Sequence, residues 1–216
     1  GRIIVATFAS NINRIQQVLD AAAKFNRKVV ISGRSMINNI NIAKELGYLN
    51  FRDGLIVELN EAKILQDKKL VIVCTGTQGE PMSALSRIAN GTHPHFACNA
   101  GDRVIITASV IPGNERTVSV VINSLMKMGA NVFYENDDNV HVSGHASQEE
   151  LKLMISLIKP KFFMPVHGEH KHLKAHARLA EGLGIKPSNL IVADNGDIIT
   201  VSKDKIEKRG KIDIKN

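Results

Sequence analysis

Short apolar runs alternate with helix-like segments along most of the chain. The runs are rich in β-branched residues and are bounded by Gly, Asn, Asp or Pro, which is typical of β-strands. We predict strands at residues 3–7, 28–32, 70–75, 103–108, 131–134, 140–143 and 161–166, and an edge strand at 197–201.

Between these runs, apolar residues recur every three or four positions, which predicts amphipathic helices. The three clearest stripes are Ile12, Ile15, Val18, Leu19 and Ala22; Val118, Val121, Ile122 and Leu125; and Leu151, Met154, Ile155 and Ile158. We expect each stripe to pack on a sheet. Ser147 and Glu150 have the spacing of a capping box at the start of the third helix. The alternation predicts an α/β fold, flavodoxin- or Rossmann-like, with a mostly parallel sheet and helices on both faces.

The composition indicates a globular protein. The 216 residues are 44% apolar, which is enough for a substantial core. Apolar runs such as 70–74 are far shorter than the roughly 20 residues that span a bilayer, so no membrane partner is expected. Cys74 and Cys98 lack metal-ligand spacing and favour buried thiols in a reducing cytoplasm.

The charge favours a polyanionic partner. The chain has 28 Lys and Arg against 21 Asp and Glu, for a net charge of +7. Trp is absent and only 4% of the residues are aromatic, so a base-stacking surface is poorly supported. Any contact with nucleic acid should therefore be mainly with phosphate groups.

Four loops follow predicted strands, at residues 75–81, 109–115, 141–147 and 165–169. In open α/β sheets, ligands gather at the carboxyl ends of strands, where helix N-termini offer free amides to anions. We expect Pro81 to occupy the first position of the helix that follows the first loop. Taken alone, a Gly-rich loop between a strand and a helix is usually only a tight turn.

The third loop, residues 141–147, has the side chains and amides best suited to bind a phosphate. Alternation along a strand puts His141, Ser143 and His145 on one side, and the amides after Gly144 lie at a helix N-terminus. Imidazoles, a hydroxyl and backbone donors together suit a phosphate, although the histidines could instead satisfy local hydrogen bonds. His167 stands between a strand end and Gly168, where an imidazole can reach a metal or act as a general acid.

The remaining histidines give a weaker signal. His93, His95, His170, His172 and His176 lack the acidic residues and third ligand that a closed zinc site needs. We interpret them as surface histidines. The chain also contains no H-x-H-x-D-H string, so a complete dinuclear site cannot be built from its sequence.

The loops occur in the order TGTQGEPMSALSR, SVIPGNE, HVSGHASQEELKLM and KPKFFMPVHGE, and the segments ATFASN and SGRSM precede them. Taken as a set, they resemble the β-CASP family of metallo-β-lactamase-fold nucleases, and within it the bacterial ribonuclease J group. The resemblance runs from Arg2 to about Val201.

The resemblance implies a domain layout. Residues 1–159 would be a β-CASP domain and 160–202 a returning α/β segment of the metallo-β-lactamase domain into which it is inserted. Residues 203–216, rich in Lys, Asp and Glu, would be a charged linker. Because the chain opens at Gly1 with no polar lead-in, we expect a fragment whose H-x-H-x-D-H ligands and C-terminal domain lie outside it.

The resemblance also implies a site. The family's catalytic positions would fall at His145 and Glu80, and its late zinc ligand at His167. The residues that would hold the RNA 5′-phosphate are His141, Ser143, Gly144, His145, Ala146, Gly113 and Asn114.

The implied activity is zinc-dependent hydrolysis of RNA in mRNA decay and rRNA processing, with two zinc ions in the whole enzyme. It would combine 5′-to-3′ exonuclease action, preferring 5′-monophosphate ends, with endonuclease action. The implied partners are RNA, the rest of the polypeptide, and further copies or a paralogue in an oligomer. The isolated chain is expected to be inactive.

Two other interpretations remain open at the level of sequence. One is a non-catalytic paralogue that acts as a subunit of a ribonuclease J complex. The other is a free-standing flavodoxin-like module that binds a phosphate or a nucleotide, since many functions share such folds.

Overall fold

The computed structural model describes residues 1–134, 140 and 144–214. By contacts among its residues, the chain divides into two compact units, Gly1–Val142 and Ser143–Asn216. The helix predicted after Ser147 belongs to the second unit. The family boundary at 159/160 remains a prediction.

The first unit contains a five-stranded parallel sheet in the order β2-β3-β1-β4-β5. Its strands are β1 Ile3–Ala6, β2 Lys28–Ser32, β3 Leu70–Cys74, β4 Arg103–Ile106 and β5 Asn131–Tyr134. The predicted α/β class and five of the predicted strands are confirmed to within two residues. Because β3 and β4 flank the central β1, the loops that follow them emerge at one edge of the sheet.

Seven α-helices lie within the described residues. They are α1 Ile12–Lys24, α2 Arg34–Glu45, α3 Leu59–Ile64, α4 Ala84–Ala89, α5 Glu115–Lys127, α6 Gln148–Ile158 and α7 His170–Gly182. None is long and apolar enough to cross a bilayer.

The core of the first unit has two layers, one on each face of the sheet. Side chains alternate along a strand, so Ile72 of β3 packs with α4 and α5, whereas its neighbour Val73 packs with α1 and α2. The predicted stripes of α1 and α5 supply buried residues to these layers. Helices therefore cover both faces, as predicted.

The stripe of α6 does not pack as predicted. Ile155 is buried, but Met154 is 57% exposed and Ile158 is 64% exposed. The helix contacts α7 instead of lying flat on a sheet. Met154 and Ile158 are therefore left uncovered by the described residues, because helical periodicity indicates an apolar face but not what covers it.

Two predicted strands have other outcomes. Of the strand predicted at 140–143, only residue 140 lies within the described residues. Residues 161–166 form no strand, apart from an isolated bridge between Phe163 and Leu190, so that prediction is wrong. Pro160 and Pro165 flank this bridge, and proline cannot donate a hydrogen bond to a ladder.

The second unit ends in an antiparallel pair, β6 Asp197–Val201 and β7 Ile206–Lys211. The predicted edge strand is β6. The linker predicted at 203–216 is wrong for residues 206–211, which form β7. Lys208, one of the charged residues on which the linker prediction rested, instead forms an ion pair between the two strands. Its ammonium lies 2.6 Å from the Asp197 carboxylate and lowers the pKa of Asp197.

Candidate functional site

Gln78 links two of the candidate loops in the first unit. It lies in the loop after β3 and is only 5% exposed. Its side-chain amide donates to the Ser109 carbonyl at 3.0 Å. Its side-chain oxygen accepts from the Ile111 amide at 2.8 Å and from Asn114 Nδ2 at 3.3 Å. One buried side chain thus fixes the loops after β3 and β4 relative to each other.

Gly79 allows the loop after β3 to approach the first turn of α5 closely. Its φ is +72°, and a Cβ at this position would lie 2.7 Å from the Thr117 carbonyl carbon on α5. Any larger residue would therefore be both strained and in collision with backbone. Thr117 Oγ1 adds a hydrogen bond to the Gln78 carbonyl at 3.2 Å.

Three predicted site residues lie on this pair of loops. The Glu80 carboxylate is exposed and accepts from the Gln78 amide at 3.2 Å. The Gly113 amide is engaged with the Glu115 carboxylate at 2.8 Å, and Asn114 is the residue just before α5. The structure therefore brings Glu80 and Asn114 into one loop cluster, with Gln78 between them.

The predicted helix start at Pro81 is wrong. The helix α4 begins at Ala84, and Ser83 is its N-cap, accepting from the Ser86 amide at 3.3 Å. A serine oxygen can accept an amide hydrogen of the first turn, whereas proline has no group to do so. Pro81 instead lies in the turn before the helix.

In the second unit, the imidazoles of His145 and His167 lie beside each other. Their ring centroids are 5.6 Å apart, and both residues are exposed. They are 22 positions apart in sequence. The fold thus brings together two of the predicted site residues, one expected to act in catalysis and the other to bind metal.

His167 has an unusual backbone. Its φ is +66°, a left-handed conformation that few residues other than glycine adopt. The next residue, Gly168, has a φ of +144°, and a Cβ there would lie 3.1 Å from the His172 Cβ. Strain of this kind often accompanies functional positions, since the surrounding fold must hold it. The turn directs the chain into α7.

The amides before α6 are partly used within the chain. The predicted capping box is confirmed, with the Ser147 amide donating to the Glu150 carboxylate at 2.6 Å. The hydrogen bonds from the Ser147 backbone and side chain lower the pKa of Glu150. The Ser147 amide is therefore unavailable to a ligand. Gly144 and Ala146, both exposed, precede it.

Two predicted phosphate-binding residues, His141 and Ser143, lie outside the described residues. Of the histidines interpreted as surface residues, His93 differs from that interpretation. It is half-buried and lies 2.9 Å from the Ser32 hydroxyl, measured from Nε2. The sequence did not predict the contacts of Gln78 or His93, since their partners are distant along the chain.

The described residues fit a metal only in part. Imidazole is a common zinc ligand, and His145 and His167 are close enough to approach the same centre. Within residues 1–134, 140 and 144–214, however, no group of three His, Cys, Asp or Glu side chains could hold an ion. The described part of the chain thus offers histidine ligands but not a complete shell.

The fold and these loops define an α/β protein whose candidate residues cluster at strand ends and helix starts. Residues 1–125 match the family model described as ribonuclease J, beta-CASP domain. Residues 130–189 match the model described as the RNA specificity domain of Zn-dependent metallo-hydrolases. The chain belongs to the ribonuclease J β-CASP family.

Curated relatives agree with this assignment. The chain is 46% identical to Ribonuclease J of Synechocystis and 48% identical to that of Helicobacter pylori, in each case over 98% of its length. It is 47% identical to Ribonuclease J of Thermus thermophilus over 98% of its length. The chain spans 33%, 31% and 37% of these relatives, respectively, or about a third of each.

Proposed function

We propose that this chain is part of a zinc-dependent ribonuclease that hydrolyses RNA phosphodiester bonds. The proposed enzyme degrades RNA from the 5′ end, prefers a 5′-monophosphate, and also cleaves internally. The observation that carries the proposal is the pair His145 and His167, with ring centroids 5.6 Å apart, in a chain of the ribonuclease J β-CASP family.

Each proposed role follows from side-chain chemistry. His167 supplies an imidazole ligand from a backbone fixed by its left-handed turn. His145 donates a hydrogen bond to a phosphoryl oxygen or a proton to the departing oxygen. Glu80 orients neighbouring groups through its carboxylate. When bound, a zinc pair polarises the scissile phosphate and lowers the pKa of water.

The residues proposed to hold the RNA 5′-phosphate are those expected from the sequence: His141, Ser143, Gly144, His145, Ala146, Gly113 and Asn114. A pocket of fixed depth accepts a terminal monophosphate, whereas a triphosphate adds bulk and charge. Because these contacts are with the backbone of the RNA, sequence selectivity should be low.

The assignment can be tested in the full-length protein that contains this chain. His167→Ala should remove bound zinc and RNA hydrolysis together, because a ligand is lost. His145→Ala should retain zinc and lose hydrolysis by roughly a hundredfold or more, the usual contribution of a general acid. Elemental analysis and single-turnover cleavage of a 5′-monophosphorylated RNA measure the two effects.

His170→Ala is the matched control. His170 is also exposed and is close in sequence, and its imidazole makes a loose 3.7 Å contact with the Asp194 carboxylate. This variant should keep both zinc and activity. Because the spacing of His145 and His167 also suits two ligands of one ion, loss of zinc in His145→Ala would refute the division of roles.

A further inference from the structure

A cleft in the first unit opens beside the carboxyl ends of β2 and β3. Its volume is about 1040 Å³, and Ser32, Arg34, Arg87, His93 and Phe51 are among the residues that line it. We call it the β2–β3 cleft. It contains none of the residues assigned above to the RNA 5′-phosphate or to metal.

One end of the β2–β3 cleft is basic. Arg34 is the first residue of α2, Arg87 lies on α4, and His93 lies in the loop that follows α4. Arg34 is exposed, and its guanidinium makes no hydrogen bond or ion pair within residues 1–134. It is therefore free to bind an anion in a two-pronged geometry.

The charges elsewhere in the cleft are partly balanced. Asp53 lies 3.6 Å from Lys44, whose ammonium also lies over the Phe51 ring at 4.8 Å. Glu58 is the other acidic residue in the lining. With Arg34 and Arg87 added, the lining carries three Lys and Arg side chains against these two carboxylates, so the excess charge is positive.

The hydrogen bonds of His93 fix its tautomer. The amides of His95 and Phe96 donate to Nδ1 at 3.3 and 3.1 Å, so Nδ1 carries no proton. Burial, followed by the nearby Arg87 and His95, lowers the pKa of His93 and favours the neutral ring. Its proton is therefore on Nε2 and is donated to the Ser32 hydroxyl oxygen.

This hydrogen bond suits Ser32 to binding a ligand and excludes catalysis in which His93 activates Ser32. Because Nε2 is a donor, His93 cannot take a proton from Ser32, so the pair is not an activated nucleophile. The Ser32 oxygen accepts from His93, and its own hydrogen is left to donate. Ser32 is 8% exposed and lines the cleft, so this hydrogen is available to an acceptor held there.

The cleft also has an apolar wall. Val30, Ile40 and Val57 form part of its lining, together with the half-buried Phe51 and the 42% exposed Ile37. Bare phosphate would leave this surface and most of the volume unfilled. A ligand that joins an anionic group to a ring system would occupy both ends.

We propose that the β2–β3 cleft binds a nucleotide, with its phosphate at Ser32, Arg34 and Arg87 and its sugar or base against the apolar wall. The nucleotide is either a free mononucleotide or a unit within an RNA strand, which share this chemistry. The proposal concerns binding alone, so it stands or falls independently of the proposed nuclease activity.

The test is a titration of the 216-residue chain followed by NMR. The His93 ring and the Arg34 side chain report on the cleft, and the probes are inorganic phosphate, adenosine monophosphate and a short oligoribonucleotide with a 5′-hydroxyl. Adenosine monophosphate should give saturable shifts at His93 and bind about tenfold more tightly than phosphate, because it also buries apolar surface. Arg34→Ala should weaken its binding by about tenfold or more.

Arg103→Ala is the matched control, because Arg103 is an exposed arginine at the amino end of β4, the opposite edge of the sheet. It should leave the affinity unchanged. An oligoribonucleotide that displaces adenosine monophosphate would identify RNA as the ligand, and one that does not would identify the free nucleotide.

Three results would overturn the proposal. The first is the absence of saturable shifts at His93 up to about 10 mM adenosine monophosphate. A dissociation constant above that concentration corresponds to a standard binding free energy weaker than about 3 kcal/mol. The second is an equal loss of affinity in Arg34→Ala and Arg103→Ala. The third is a set of shifts confined to Gly113, Asn114 and His145.

Discussion

At the scale of single residues, the most deeply enclosed ion pair among the described residues joins Arg2 to Asp102. The Asp102 side chain is 1% exposed, and its carboxylate lies 2.6 Å from the Arg2 guanidinium. It also accepts from the amides of Arg2 and Asn99. Such a pair fixes the start of β1 against the turn before β4, because an unpartnered buried charge is costly.

Replacing Asp102 should therefore be severe. Asp102→Ala leaves the Arg2 guanidinium without its main partner and should lower the free energy of unfolding by about 3 to 5 kcal/mol. Urea denaturation followed by circular dichroism measures the change. Asp53→Ala is the control, because Asp53 is fully exposed in its pair with Lys44 and should alter stability little. Similar losses in the two variants would refute the role given to burial.

The contacts of a residue were predictable from the sequence where both partners lie close together along the chain. The capping box of Ser147 and Glu150 is one example, since both partners lie within one helical turn. The bond between Ser32 and His93 spans 61 positions, and no local pattern indicates it. His93 was therefore misjudged as a surface residue.

At the scale of elements, the loops after β3 and β4 act as one structure. Gln78 supplies three side-chain hydrogen bonds across them, and Gly79 permits close approach of the first loop to the start of α5. Parallel pairing predicts only that both loops share an edge of the sheet. The contact that makes them a single cluster depends on one buried amide.

Gln78→Ala should loosen this cluster. Loss of the part-buried hydrogen bonds to the Ser109 carbonyl, the Ile111 amide and the Asn114 side chain should cost about 1 to 3 kcal/mol. Hydrogen exchange at Ile111 and Asn114 should accelerate, as measured by NMR. Gln16→Ala is the matched control, because Gln16 also bridges two segments, through Asn50, but does so at the surface. Unchanged exchange in Gln78→Ala would show that the loops hold together without it.

At the scale of the whole molecule, the chain brings His145 and His167 together, but its described residues include no group of three side chains that could hold a metal ion. The relatives are about three times as long as the chain. The proposed function therefore requires that other parts of the longer protein supply the remaining metal ligands.

The isolated 216-residue chain should accordingly bind zinc far below one ion per chain and should not hydrolyse RNA. Elemental analysis after dialysis against zinc, together with a cleavage assay, measures both. A full-length protein treated in the same way serves as the positive control. Stoichiometric zinc and robust hydrolysis by the chain alone would show that the site has been misassigned.

The sequence alone determined the α/β class, the five parallel strands and the helices α1 and α5, because strand alternation and helical periodicity are local and each apolar face must be buried. Tertiary structure decided the rest. It set the order of the strands, the pairing of Ser32 with His93, the clamp at Gln78 and the approach of His145 to His167. These contacts join residues far apart in the chain, and their partners are fixed only when the backbone has folded.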